Sequence, residues 1–167
     1  MKRIITLLFL FLLCFVLCAC DPGTTRADAG SVKDIAAIEL IEYSNPEQKK
    51  FSSWVMDHSD ELLSFDESRV TVLETLPEEK TGDFLDSLAK KEVLSDYYCY
   101  NSPADVCIRI RYTDGHFMIL WTNYKQNSYR GYIGEYAPDG SVLSFLGTFS
   151  SLQFYQELVN NFFNYSI

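Results

Sequence analysis

Residues 106–121, VCIRIRYTDGHFMILW, decide how the rest of the chain is read. Two runs rich in β-branched and aromatic residues flank Asp114-Gly115, a dipeptide suited to the positive φ angles of a type I′ hairpin turn. A two-residue loop sets Thr113 against His116 and predicts the pairs Ile108–Trp121, Ile110–Ile119 and Tyr112–Phe117. All six side chains then share one face and form a coherent core. Arg109 and Arg111 fall on the other face, beside Met118 and Leu120.

Downstream, 129–136 and 142–149 read as a further hairpin closed by Ala137-Pro138-Asp139-Gly140-Ser141. Ser150 to Gln153 has capping-box spacing and opens a helix with Leu152, Tyr155, Leu158, Val159 and Phe162 inward. Upstream, 97–100 is strand-like. Leu76-Pro77-Glu78-Glu79 opens a helix whose apolar face is Phe84, Leu85 and Leu88, and 69–75 (RVTVLET) is a strand. Asn45-Pro46-Glu47 starts a helix carrying Phe51, Trp54, Val55 and His58 on one face, and 34–43 (DIAAIELIEY) reads as a strand. The expected fold class is α+β: an antiparallel sheet, mostly a C-terminal meander, packed on one face by two or three helices.

The N-terminus is different in kind. Lys2 and Arg3 precede an apolar run of 13 residues, Ile4 to Val16, broken only by Thr6. That is short for a transmembrane helix but suits the core of an export signal. Leu17-Cys18-Ala19-Cys20 follows and resembles the lipobox of bacterial prolipoproteins. The resemblance implies a branched residue at Leu17, a cut after the small Ala19, and a diacylglyceryl group on Cys20. On this reading 1–19 is a signal peptide, 20–32 a lipidated N-terminus with a flexible tether, and 33–167 a single domain. Pro, Gly, Ser, Thr and Ala dominate the tether, with no apolar pattern. The expected location is the extracytoplasmic face of the cell membrane, held by lipid. The general layout of the body is similar to that of small Gram-positive lipoproteins of uncharacterised function, a likeness that implies no activity.

Removing residues 1–19 leaves 148 residues with all 23 acidic groups but only 12 of the 14 basic ones, so the formal charge moves from −9 to −11. Such a surface does not neutralise phosphates, which argues against nucleic acid as a partner. It also repels anionic headgroups, so the body is expected to stand off the membrane. Once Cys14, Cys18 and Cys20 are assigned to the signal and the anchor, Cys99 and Cys107 remain. If Tyr98 pairs with Ile108, these two face each other and can form a cross-strand disulfide. The alternative is two thiols packed as small hydrophobes. No cofactor or metal is expected, since neither cysteine has the spacing of a zinc site and there is no histidine pair.

Asp57-His58-Ser59 contains the letters of a catalytic triad, but consecutive residues project in different directions and cannot form a relay. The more suggestive stretch is the Tyr- and Asn-rich connection within 121–136. There Tyr124, Asn127, Tyr129 and Arg130 form a candidate binding rim of the composition that recognition loops favour. The chain therefore reads as a non-enzymatic binding module of the cell envelope, for a protein, peptide or glycan. A small acidic inhibitor or immunity-type protein against a hydrolase or toxin is the alternative. A third reading, a cryptic hydrolase, requires two titratable groups converging in a deep pocket.

Overall fold

The computed structural model describes residues 24–44, 64–94, 105–122, 131–149 and 152–165. Among the described residues, eight strands and two helices follow in the order β1 (Thr24–Arg26), β2 (Ile35–Tyr43), β3 (Val70–Thr75), α1 (Thr81–Ala89), β4 (Glu92–Leu94), β5 (Asp105–Tyr112), β6 (Phe117–Thr122), β7 (Gly131–Tyr136), β8 (Val142–Phe149) and α2 (Leu152–Phe162). The strands form one antiparallel sheet ordered β1-β4-β8-β7-β6-β5-β2-β3. Six are substantial, and β1 and β4, three residues each, finish one edge. The class is α+β, with the expected meander running from β5 to β8. Among the described residues, no helix is long and apolar enough to cross a membrane.

The 106–121 hairpin forms, but one residue out of the expected register. Ile108 pairs with Leu120, Arg109 with Ile119, Ile110 with Met118 and Arg111 with Phe117. The cause is the turn. Tyr112 N–H donates to His116 C=O (3.0 Å) and Gly115 N–H to Tyr112 C=O (3.0 Å), so three residues, not two, lie between the paired ends. Only Gly115 takes a positive φ, +93°, whereas a type I′ turn needs one at Asp114 as well. Asp114 instead accepts the His116 N–H at its side chain (3.2 Å). The arrangement is a type I turn closed by a glycine bulge.

The 137–141 loop repeats the device. Ala137 N–H donates to Ser141 C=O (2.8 Å), Gly140 N–H to Ala137 C=O (2.8 Å), and Asp139 Oδ1 accepts the Ser141 N–H (2.9 Å) and hydroxyl (2.6 Å). The two loops lie side by side: a Cβ on Gly115 would stand 3.4 Å from Pro138 Cγ.

Because side chains alternate along a strand, a slip of one residue moves partners to opposite faces. The six side chains expected together are thus divided. Ile108, Ile110 and Tyr112 join Ile38, Leu40, Met118, Leu120 and Ile133 in a first cluster, which also contains Phe84, Leu85 and Leu88 of α1 and Tyr155, Leu158 and Val159 of α2. Phe117, Ile119 and Trp121 belong to a second cluster with Ile41, Tyr43, Phe65, Cys107, Tyr132 and Tyr136. Neither face of the central sheet is a polar surface. At roughly 1.5–3 kcal/mol per large side chain buried, the second face is comparable in importance to the first.

The helices form where expected. Pro77 and a 3₁₀ turn at Glu78–Lys80 lead into α1, whose Phe84, Leu85 and Leu88 are buried. The Phe84 ring meets the edges of Phe162 (5.2 Å) and Phe163 (6.4 Å) across the two helices. Tyr155 hydroxyl donates to Val106 C=O (2.7 Å), tying α2 to β5. Burial pushes the Tyr155 phenol well above its ordinary pKa.

The N-terminal stretch differs from expectation. Residues 24–32 are not a spacer: Thr24, Thr25 and Arg26 pair with Leu94, Val93 and Glu92, and Ala27 and Ala29 are buried in the first cluster. Small alanines between polar residues carry no periodicity that would mark the stretch as part of the core. The folded body thus begins upstream of residue 33. A single row crosses much of the sheet: Thr24 pairs with Leu94, Leu94 with Thr148, Thr148 with Tyr132, and Tyr132 with Trp121.

The expected helix from Asn45 and the expected strand over 97–100 lie outside the described residues.

Candidate functional site

The second face holds the polar groups that an apolar sheet does not explain. Glu39 in β2 sits between Ile38 and Leu40, and Arg109 in β5 sits between Ile108 and Ile110; they are cross-strand partners. Both side chains are buried, with 7 % and 5 % of their surface exposed. Arg109 Nε donates to Glu39 Oε2 (2.7 Å), and a second guanidinium nitrogen lies 2.6 Å from the same oxygen. The third reaches both oxygens of Glu67 at 2.7 Å. Arg111, half-exposed, stands 3.5 Å from Glu39 Oε1. Burying an isolated charge would be prohibitive, and this network meets the cost with short charge-assisted bonds on both sides of the arginine.

Glu67 arrives on a strap, residues 64–69, that crosses the second face. Phe65 N–H donates to Gly140 C=O (2.8 Å), at the β7–β8 turn. Its ring stacks on Tyr43 (4.4 Å) and meets Phe117 (5.2 Å) and Tyr136 (5.7 Å). Tyr43 hydroxyl accepts the Asp66 N–H (3.0 Å). Burial raises the Tyr43 phenol, and that backbone bond only partly opposes it. Asp66 then caps the 3₁₀ turn Glu67–Arg69 that leads into β3, and its bonds from Ser68 hold its carboxyl below the ordinary range.

Further along the face, Trp121 stacks on Tyr132 (5.5 Å, 24° between planes) and both rings approach Phe145 at 6.4 Å. Gly134 makes room: a Cβ there would stand 3.3 Å from both the Trp121 and Tyr136 rings. The Trp121 indole N–H is buried and finds no acceptor among the described residues, an arrangement that costs free energy and is rare in interiors. Trp121 and Tyr132 stand one residue from the ends of β6 and β7. They are therefore the root of the 123–130 connection.

At the opposite end of the strands, His116 lies flat on Tyr112 (3.9 Å, 8°), and its Nδ1 is hydrogen-bonded to Asp114 Oδ1. That bond holds the Asp114 carboxyl below its ordinary pKa. Burial raises the Tyr112 phenol strongly, with the Glu135, Asp28 and Asp114 carboxylates adding to it. This Asp–His pair closes its own turn. Among the described residues, no group of three or more His, Cys, Asp or Glu side chains is placed to hold a metal ion.

Of the residues singled out in the sequence, Cys107 is placed: it is buried on the second face beside Ile41. Cys20, Cys99, Tyr124, Asn127, Tyr129, Arg130 and the Asp57-His58-Ser59 stretch lie outside the described residues. Sequence reading missed the Glu39–Arg109–Glu67 network. Its signal was present: opposite charges at like positions inside two apolar strands, IELIE and CIRIR, are cross-strand partners in waiting. Comparison with protein families, curated proteins and solved structures finds no match to this chain.

Proposed function

We propose that the chain is a lipid-anchored, extracytoplasmic binding module of the bacterial cell envelope, recognising a protein, peptide or glycan without catalysing a reaction on it. The observation that carries the binding reading is the stacked Trp121–Tyr132 pair at the root of the 123–130 connection. A recognition loop works best when its base is rigid. Here a buried aromatic pair, on adjacent strands, stands one residue from each strand end that the sequence NYKQNSYR connects. We read the two helices as the cover of the first sheet face, which leaves the strand ends and the connection for a ligand. The anchor reading rests on the lipobox at Leu17–Cys20.

Affinity capture from envelope extracts tests the binding reading, using the mature chain from Asp21 beside Tyr124→Ala and Arg130→Ala. Loss of a captured partner in either variant supports the rim, and capture unchanged in both discards it. Metabolic labelling with a palmitate analogue tests the anchor: labelling that survives Cys20→Ser rejects it.

The mature charge of −11 favours one second reading, an acidic inhibitor of a basic hydrolase or toxin. Its association would slow steeply as salt rises, whereas binding through aromatic contacts would not.

A further inference from the structure

Resting on the lipid anchor proposed above, we infer that the β1–β4 edge is a membrane-contact surface, and that Arg26, Lys90 and Lys91 sit against anionic phospholipid headgroups. Two independent observations lead there. The first is chain length. Only three residues separate Cys20 from Thr24, the first residue paired in the sheet, and the four residue-to-residue steps between them span at most about 14 Å. A domain of this size has a radius of gyration of about 14 Å. A link no longer than the body's own radius holds the body against the bilayer instead of letting it float.

The second observation is where the basic side chains lie in an acidic protein. The Arg26–Glu92 pair is two residues further out along the edge than Thr24–Leu94. Lys91 and Lys90 come immediately before it, at the C-terminal end of α1, and Ala27 N–H donates to Lys91 C=O (3.1 Å). Lys91 Nζ stands 5.1 Å from the ring of Phe154, in the turn of α2 that follows β8. All three cations thus lie along the β1–β4 edge, within a few residues of Thr24, where the anchored chain joins the sheet. Glu92 is the one carboxylate within that short ladder. Arg26 and Lys90 are exposed.

Charges within a Debye length of about 8 Å feel an anionic surface directly. Repulsion between the bilayer and the acidic remainder then turns the body so that this edge faces the lipid. Lys33 marks the opposite end: the neighbouring Asp34 C=O accepts from Thr113 N–H (2.9 Å) in the β5–β6 turn.

The test uses the acylated protein extracted from membranes and returned to vesicles of phosphatidylglycerol with phosphatidylcholine. A water-soluble amine-acylating reagent is applied, and each lysine is read by mass spectrometry. Lys90 and Lys91 should label about fivefold more slowly on these vesicles than in detergent, with Lys33 unchanged. High salt, or a flexible Gly-Ser spacer inserted after Pro22, should restore their labelling. Equal labelling in vesicles and detergent, with an acylated N-terminal peptide in the same digest, overturns the contact surface but not the anchor. Equal protection on pure phosphatidylcholine overturns the electrostatic contact. An N-terminal peptide without an acyl group overturns the anchor, and the inference with it.

Discussion

The Phe65 carbonyl fills the place of a side chain at Gly140: an ideal Cβ on Gly140 would stand 1.8 Å from that oxygen, while Phe65 N–H donates to the Gly140 carbonyl at 2.8 Å. The glycine also has φ +83°. Two constraints therefore meet at one atom, and the strap over the second face is fastened through the absence of a side chain. Gly140→Ala should lose more than about 2 kcal/mol, through left-handed strain plus displacement of the strap. Gly115→Ala, at φ +93° with only Pro138 nearby, should lose about 1 kcal/mol. Urea denaturation of the two variants checks the order, and equal losses would mean that the strap moves aside at no cost.

Arg109 is the hinge of the buried charge network. Arg109→Met leaves Glu39 buried without its partner and should cost about 3–5 kcal/mol. The double variant Glu39→Leu with Arg109→Met removes both charges and should recover most of that loss. Glu67 is half-exposed, so Glu67→Ala should cost about 1 kcal/mol or less. A double-mutant cycle by chemical denaturation measures the coupling, and an additive result would remove the network from the stability argument.

Acid should weaken the fold through its turns. The Asp66, Asp114 and Asp139 carboxyls are held below their ordinary pKa by hydrogen bonds from Ser68, His116 and Ser141. A depressed carboxyl contributes stability above its unfolded value of about 4 and loses it as pH falls through the folded value. Stability measured from pH 5 to 2 should therefore decline, and less steeply in Asp139→Asn. Alkali acts through the phenols of Tyr43, Tyr112 and Tyr155, which are raised by burial. Their contribution is complete below the unfolded value of about 10 and fades as pH rises beyond it. Tyrosinate absorbance for these three should appear together with unfolding and not before it.

Cutting the chain at Lys33 should destabilise the body. A chain starting there lacks β1 and the buried Ala27 and Ala29, so its melting temperature should lie several degrees below that of a chain starting at Asp21. Identical melting curves would return residues 24–32 to the status of a spacer.

The secondary elements were legible because their signals are local. Val70–Thr75 and Gly131–Tyr136 alternate or carry β-branched residues, and Pro77 with its following acids marks the approach to α1. Register was not legible. Asp-Gly suits two turn types that differ by one residue, and what selects between them is the bond from His116 N–H to the Asp114 side chain. From that single residue followed the division of Ile108 from Trp121, and a second apolar cluster on the face expected to carry Arg109 and Arg111 beside Met118 and Leu120. The Glu39–Arg109 pair joins positions 70 apart, and β1 is held by a three-residue partner; neither leaves a periodic trace.

The strand order has a temporal consequence. β5 to β8 join through neighbouring hairpins, two of them closed by the same Asp-Gly loop, so this half can assemble from short-range contacts at little loop-closure cost. β1 is different. It rests on β4, and among the described residues β4 pairs with the rest of the sheet at Thr148, near the end of β8. The earliest residues of the folded body to be synthesised therefore have no docking place until the last strand has been made.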